Sequence, residues 1–461
     1  MESQDQVIDQ LLRILRRRSV EGYEIFFESS DHFEVEAKED KVDTFQASQS
    51  WGLSLRLLHQ KRMGFSFATS PSTLVSGGLR EGLERLVEDA MAASRATSPD
   101  PCYEFAPPLK APPPELPIND RSLREISEKR KIEYARNLEA SARSFDRRVT
   151  KVRKASYQES SSKVTLLNSN GLHFTYDLTF SSVSVVAIAE EGGESEMGWD
   201  FDFSHFFDRI DVHRVGQNAA KRAVERLGGR RISSGSFPAI LENQVAAEFL
   251  SLLAHSFLSE QVQKGKSVLK DRLGTKFFSS LLNLVDDGLQ VEGASASPID
   301  GEGTPSQRTL LVSQGEVRGF LYDRFWANRE RLGSSRKEVE STGNSRRHSI
   351  KAPPGLGTSN FFIEAGKTPL ATLIRNLNRG VLIQEVMGLH TVDPISGDFS
   401  LGCSGQWIEG GEVLHPVKSI AVAGNLYQLF QNLVEVGDDL RFFGKIGSPS
   451  LTIDRLELSG N

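Results

Sequence analysis

Apolar positions recur every four residues at the start of the chain. Val7, Leu11 and Leu15, with Ile8 and Leu12 beside them, predict an amphipathic helix. Ser3 and Gln6 have capping-box spacing, and Arg16, Arg17 and Arg18 sit where a helix C-terminus favours cations. The period then changes to two. Phe33, Val35 and Ala37 alternate with Glu34, Glu36 and Lys38, and Leu53, Leu55 and Leu57 are separated by Ser54 and Arg56. This pattern predicts antiparallel strands with one wet face. Ser70-Pro71 predicts the opening of a helix whose buried stripe is Leu79, Leu83, Leu86 and Ala90.

Eight of the 18 prolines fall between Pro99 and Pro117. Such a stretch predicts a rigid, semi-extended strap over 97–119, joining two halves of a first domain. A charged helix is expected over 122–145. Strand patterns follow over 149–203, with a turn at Asn168-Ser169-Asn170-Gly171. A helix with Val212, Val215, Ala219, Ala223 and Leu227 on one face then stops at Gly228. Met63-Gly64-Phe65-Ser66-Phe67 is echoed by Met197-Gly198-Trp199-Asp200-Phe201, which suggests an internal duplication.

The character changes from Ser236. A long apolar helix is predicted over 243–263, followed by short β-like stretches broken by glycine at 309–312, 320–322, 380–386, 413–417, 420–423 and 451–458. The fold class expected is α+β in two domains. An N-terminal domain, 1–232, holds an antiparallel sheet with helices. A C-terminal domain, 233–461, holds curved antiparallel β-structure with a long helix.

Composition narrows the function. The chain has 461 residues, 38% hydrophobic and 25% charged, which suits a soluble globular protein. Its net charge of −6 argues against a dedicated nucleic-acid binder. Two cysteines, Cys102 and Cys403, cannot build a disulfide framework. Residues 1–9 are polar and acidic, and no apolar run approaches the ~18–20 residues of a membrane helix. A cytoplasmic protein is expected. No two of the nine histidines lie closer than His205 and His213, and no His-Glu-x-x-His or Cys-x-x-Cys occurs. Gly265-Lys266-Ser267 and Gly366-Lys367-Thr368 look like the end of a phosphate loop. Glu260 and Phe361 replace the upstream glycine that loop requires.

Two stretches carry candidate chemistry. Cys403 lies in Gly402-Cys403-Ser404-Gly405, with His390 and His415 in the same region. A thiol needs such a base to react near neutral pH, although a buried structural cysteine is the plainer reading. Residues 324–351 hold eight Lys/Arg, Arg346 and Arg347 among them, against three Glu. They read as a mobile surface loop that could also grip an acidic partner.

An ordered series of motifs then runs through the second half. It comprises Asp300-Gly301-Glu302-Gly303 with Gln307-Arg308-Thr309, Gly319-Phe320-Leu321-Tyr322-Asp323, and Ser341-Thr342-Gly343-Asn344 with Arg346-Arg347. It continues through Gly388-Leu389-His390-Thr391, Asp393-Pro394, Ser396-Gly397-Asp398-Phe399-Ser400, Ile408-Glu409-Gly410-Gly411-Glu412, Pro416-Val417, Gly424-Asn425, Gly437-Asp438-Asp439-Leu440 and Gly447-Ser448-Pro449-Ser450. Gly52-Leu53 with Arg56, and Gly64-Phe65, extend it more loosely upstream. This series resembles the TldD/PmbA family, and within it the PmbA (TldE) branch.

The resemblance implies a two-part system. The TldD branch is a zinc metalloprotease with a His-Glu-x-x-x-His helix and a late cysteine as third ligand. The PmbA/TldE branch is its partner in a heterodimer that degrades unfolded or extended peptides in an enclosed cleft. Relatives are linked to microcin maturation, antitoxin turnover and modulation of DNA gyrase. Aligned on Gly265, the motif falls on Leu250, Ser251 and His255, which retains one ligand at most. The stretch 437–450 has no cysteine. Zinc hydrolysis needs three ligands and a base beside the bound water. The resemblance therefore implies no catalytic residue, metal or cofactor in this chain, zinc in a TldD-like partner subunit, and a peptide substrate. A homodimer is an alternative to the heterodimer. His390, Cys403, Arg346 and Arg347 are the candidate substrate or partner contacts. The other functions to weigh are an independent hydrolase using Cys403, and a gyrase- or nucleic-acid-associated binding module.

Overall fold

A computed structural model describes residues 4–69, 78–393 and 395–460. The caps read at Ser3 and Ser70-Pro71, and Pro394 of the motif series, lie outside the described residues. The first helix, α1 (Gln4–Leu15), buries Val7, Ile8, Leu11 and Leu15, as its four-residue period requires. Three strands follow: β1 (Gly22–Lys38), β2 (Lys41–His59) and β3 (Arg62–Ala68). Two-residue turns at Glu39-Asp40 and Gln60-Lys61, all four residues with positive φ, set their hairpin register. Helix α2 (Leu79–Ala96) comes next. Its buried stripe holds Leu83, Leu86 and Ala90 as expected, with Leu79 only partly buried beside it.

The second half repeats this plan. The expected 122–145 helix begins later: Leu123–Glu125 is one 3-10 turn, and α3 (Glu128–Ser144) starts where the Ser127 hydroxyl accepts from Arg130 N at 3.3 Å. Strands β4 (Val149–Asn168), β5 (His173–Glu191) and β6 (Glu194–Ser204) and helix α4 (Val212–Arg226) complete it. All six strands form one antiparallel sheet in the order β3-β2-β1-β4-β5-β6. Its two three-stranded halves meet at the β1–β4 pairing.

The echoed glycines hold equivalent places on the two edge strands. A Cβ on Gly64 would strike the Ala90 carbonyl of α2, and one on Gly198 would strike the Ala219 carbonyl of α4. Each glycine lets a helix lie directly against its edge strand. Gly198→Ala is expected to cost about 1–3 kcal/mol through overpacking, read as a lower denaturant midpoint.

The proline-rich strap has no helix or strand. It is pinned from both sides: Asn168 Nδ2 donates to Ala106 O and Asn328 Nδ2 donates to Cys102 O, each at 2.9 Å.

The C-terminal half holds two six-stranded sheets. The first runs β10-β9-β8-β13-β19-β18, where β8 is Leu284–Asp287, β9 Arg308–Ser313, β10 Glu316–Val317, β13 Asn360–Ile363, β18 Arg441–Phe443 and β19 Ile446–Ser448. A two-stranded ribbon, β11 (Ser345–Arg346) with β12 (Gly355–Leu356), lies between β10 and β13 in sequence. The second sheet runs β16-β15-β14-β7-β20-β17, with β7 at Gly235–Leu241, β14 at Arg379–Met387, β15 at Asp398–Glu409, β16 at Glu412–Asn425, β17 at Leu433–Val436 and β20 at Leu451–Ser459. A further β16–β20 pairing closes β7, β14, β15, β16 and β20 into a barrel.

Four expectations need correction here. The 243–263 helix is broken into α5 (Asn243–Leu253), a 3-10 turn at Ala254–Phe257 and the short α6 (Ser259–Gln263). At the break Leu321 N donates to Phe257 O at 2.9 Å and Ser259 N donates to Leu321 O at 3.0 Å. These bonds replace helical ones, and the strand expected over 320–322 is reduced to that single bridge. Stretches 413–417 and 420–423 are one bulged strand, β16, with Ser419 at φ 55°. Residues 324–351 are not a mobile surface loop. They contain α7 (Arg324–Gly333), capped by Asp323 Oδ1 accepting from Trp326 N at 2.8 Å, and then Asn344 and Ser345 with 0% exposure.

Candidate functional site

Strand alternation gives the N-terminal sheet two apolar faces. Ile25, Phe27, Leu53 and Leu55 pack beneath α1 and α2. The opposite face, expected to be wet, carries Phe26, Val164, Leu166 and Leu172, and these pack against Ile299 and Ile350 of the C-terminal half. Charged residues on this covered face must find partners.

Glu24 on β1 is 1% exposed and Arg56 on β2 is 6% exposed. Arg56 grips Glu24 with Nε and Nη2, both at 2.8 Å, and reaches Glu302 Oε1 with Nη1 at 3.0 Å. Arg347 also donates to Glu24, gives Nε to Gly301 O at 2.8 Å, and stacks 4.3 Å above the Phe26 ring. Two arginines and two glutamates from distant parts of the chain thus tie the halves together. Burial pushes Glu24 up, but Arg56 and Arg347 outweigh it and hold the carboxyl below its ordinary range.

A cleft of about 490 Å³ opens beside this network. Phe26, Glu28, Leu166 and Tyr176 form its N-terminal wall. Asp300, Ser345, Arg346, His348 and Lys445 stand on the facing wall. Two more hollows, of about 760 and 450 Å³, follow the strap. The larger shares Tyr176 with the cleft, and the smaller shares Pro113 and Pro114 with the larger. The chain therefore offers an elongated, mixed apolar and polar surface where its halves meet.

Two buried aspartates here are raised. Burial, then nearby Glu302, pushes Asp300 to about 6 and Asp323 to about 7. The folded chain consequently binds more protons at these positions than the unfolded chain, whose aspartates titrate near 3.8. Their contribution to stability is complete below that value and is lost as pH rises through about 6 and 7. The unfolding midpoint is expected to be lower at about pH 8 than at about pH 6. A thermal-melt series at fixed ionic strength checks this, and a rising midpoint would contradict it.

The structure separates the four candidate contacts. Arg346 and Arg347 reach the cleft, Arg347 through a side chain already committed to Glu24. His390 is exposed in the turn after β14, and neither it nor Cys403 lines the cleft. Cys403 is fully buried in the barrel core, where burial pushes its thiol up to about 12. A thiol so held stays protonated, so the geometry gives no support to a hydrolase built on Cys403. His415 turns Nδ1 to Pro416 O at 3.1 Å.

The helix that the resemblance aligns with the zinc helix is α5. Leu250 is 0% exposed and packs in the main C-terminal core. Ser251 is exposed, and its hydroxyl donates back to Glu248 O at 2.7 Å. His255 lies beyond α5, in the 3-10 turn. The 437–450 segment does reach α5, where Asn243 Nδ2 donates to Asp439 O at 3.1 Å. Asp439 spends its carboxylate on Ser450, accepting from N at 2.8 Å and Oγ at 2.7 Å. These residues do not fit a zinc ion. Among the described residues no three His, Cys, Asp or Glu side chains are grouped to hold a metal. Among the same residues no helix is long and apolar enough to cross a membrane.

Comparison with known proteins agrees with this architecture. Models of the PmbA/TldA metallopeptidase domain 1, central domain and C-terminal domain match residues 23–94, 121–227 and 234–460. The chain belongs to the PmbA/TldD metallopeptidase family. It is similar to Metalloprotease PmbA of Escherichia coli O157:H7, with 26% identity over 443 residues, 95% of this chain and 92% of that protein. Its fold matches TldE from Thermococcus kodakarensis with a TM-score of 0.86 at 22% identity, covering 98% and 100% of the two chains. A Thermotoga maritima protein described as a candidate modulator of DNA gyrase matches with a TM-score of 0.88 at 23% identity, covering 99% and 100%.

Proposed function

We propose that this chain is the non-catalytic partner subunit of a TldD/TldE-type zinc protease and forms one wall of its peptide chamber. The observation that carries the reading is α5. The position aligned with the first zinc ligand is a leucine sealed in the core, and the position aligned with the general base is a serine bonded to its own helix. Leucine cannot ligate, and a serine hydroxyl is a poor base for a metal-bound water. Family membership supplies the other half of the argument, since the family is one of metallopeptidases and this chain matches the fold of a TldE over 98% of its length. The elongated cleft suits an extended peptide.

Mixing the pure chain with a TldD-like subunit tests the proposal. The pair is expected to co-elute as a heterodimer and to cleave an unfolded peptide. The zinc belongs to the other subunit. Failure to associate with any TldD-like chain encoded beside it would remove the partner role.

A further inference from the structure

The cleft between the halves ends at two cations, Arg346 and Lys445, that no carboxylate meets in a direct ion pair among the described residues, although buried Asp286 acts on both through space. Arg346 donates Nη2 to Gly343 O at 3.1 Å, while its Nε is buried without an acceptor. The Lys445 ammonium, in the β18–β19 turn, has no hydrogen bond or ion pair among the described residues, while the backbone carbonyl accepts from Phe361 N at 2.9 Å. Ser345 Oγ, fully buried on the same wall, also lacks a partner. The nearby acids Asp286 and Asp300 act on Arg346 through space but give their hydrogen bonds to other groups. Asp286 accepts from Asn344 Nδ2 at 2.7 Å, from Ser359 N at 2.8 Å and from the Ser359 hydroxyl. Asp300 accepts from the backbone N–H groups of Glu302, Thr304 and Ser345, at 2.9, 2.8 and 3.1 Å. Arg347 is held by Glu24 and cannot share in the binding.

Leaving an ammonium and a guanidinium edge unpaired in a half-buried site opposes folding, unless a ligand supplies the missing anion. The rest of the cleft says which anion. Phe26, Leu166, Leu178, Ile299 and Ile350 give it an apolar half, of no use to a bare phosphate. Glu28 and Tyr176, across from the cations, offer an acceptor and a hydroxyl to a peptide backbone.

We propose that Arg346, Lys445 and Ser345 form a carboxylate site that holds the free C-terminus of a peptide, with its last, apolar side chain in the hydrophobic half. The inference rests on the reading of this chain as a chamber wall, and adds that the wall recognises a chain end.

Anisotropy of N-terminally labelled peptides of about six residues ending in leucine, titrated with the pure full-length chain, tests it. The free acid is expected to bind at least about tenfold more tightly than the C-terminal amide, because charge-assisted bonds are lost on amidation. Lys445→Met and Arg346→Gln should each abolish that preference. Lys445→Met should not lower the unfolding midpoint, since the ammonium it removes makes no direct ion pair and burial outweighs its attraction to Asp286. Equal affinity for acid and amide overturns the proposal, as does no binding of either. Displacement of the free acid by inorganic phosphate of higher affinity assigns the site to phosphate and also overturns it. Each of these results leaves the mixing experiment with a TldD-like subunit to judge the partner role separately.

Discussion

An Arg56→Met variant is expected to lose about 3–5 kcal/mol of stability. Methionine approximates the volume of the arginine stem, so the loss comes from charge and not from a cavity. Glu24 would keep Arg347 alone, and Glu302 would lose its guanidinium partner inside a site that is 5% exposed. A carboxylate left without its guanidinium in low dielectric, beside a second that keeps only one, costs far more than the loss of an exposed pair. Arg56 also bridges the halves, so the variant should separate their unfolding and lower cooperativity. Denaturant melts followed by tryptophan fluorescence and by circular dichroism measure both effects. A loss under about 1 kcal/mol with coincident transitions would contradict the account.

Leu250→His is expected to cost about 2–4 kcal/mol and to gain no zinc. The substitution restores the residue type that a zinc helix needs at this position. It does so inside the C-terminal core, beside Phe249 and Leu253 on its own helix. The imidazole would lose apolar packing and leave a ring nitrogen unpaired. Ser251 faces solvent and the 437–450 segment offers no cysteine, so one added ligand cannot assemble a site. A stable variant that binds zinc would show that the helix remains poised for metal.

Local periodicity carried much of the fold. The buried faces of α1 and α4, the β4–β5 turn at Asn168–Gly171 and the edge-strand echo at Gly64 and Gly198 were readable because each depends on neighbours in sequence. The barrel was not, since its closure rests on Ala421–Ala423 of β16 meeting Glu457–Ser459 of β20. The break after Leu253 also escaped. The sequence Ala-His-Ser-Phe contains no breaker, and the helix stops because Leu321, more than sixty residues away, takes over its backbone bonds.

The site was half legible for the same reason. Arg56 was read as a polar position between Leu55 and Leu57 on a wet strand face, and Glu24 was not singled out. The alternation that places them on a second face does not say that another part of the chain covers it. Arg346 and Arg347 were singled out together, yet the structure gives them opposite tasks: one closes a buried network and the other faces the cleft. Lys445, between Gly444 and Ile446, gave no sequence signal at all. Its importance is that its ammonium makes no direct ion pair among the described residues.

The most direct test of the central claim is the metal content of the pure chain, measured together with its peptidase activity. The account predicts less than about 0.1 zinc per chain after purification in the presence of zinc, and no cleavage of an unfolded peptide. About one zinc per chain, removed by a chelator together with peptide cleavage, would contradict it.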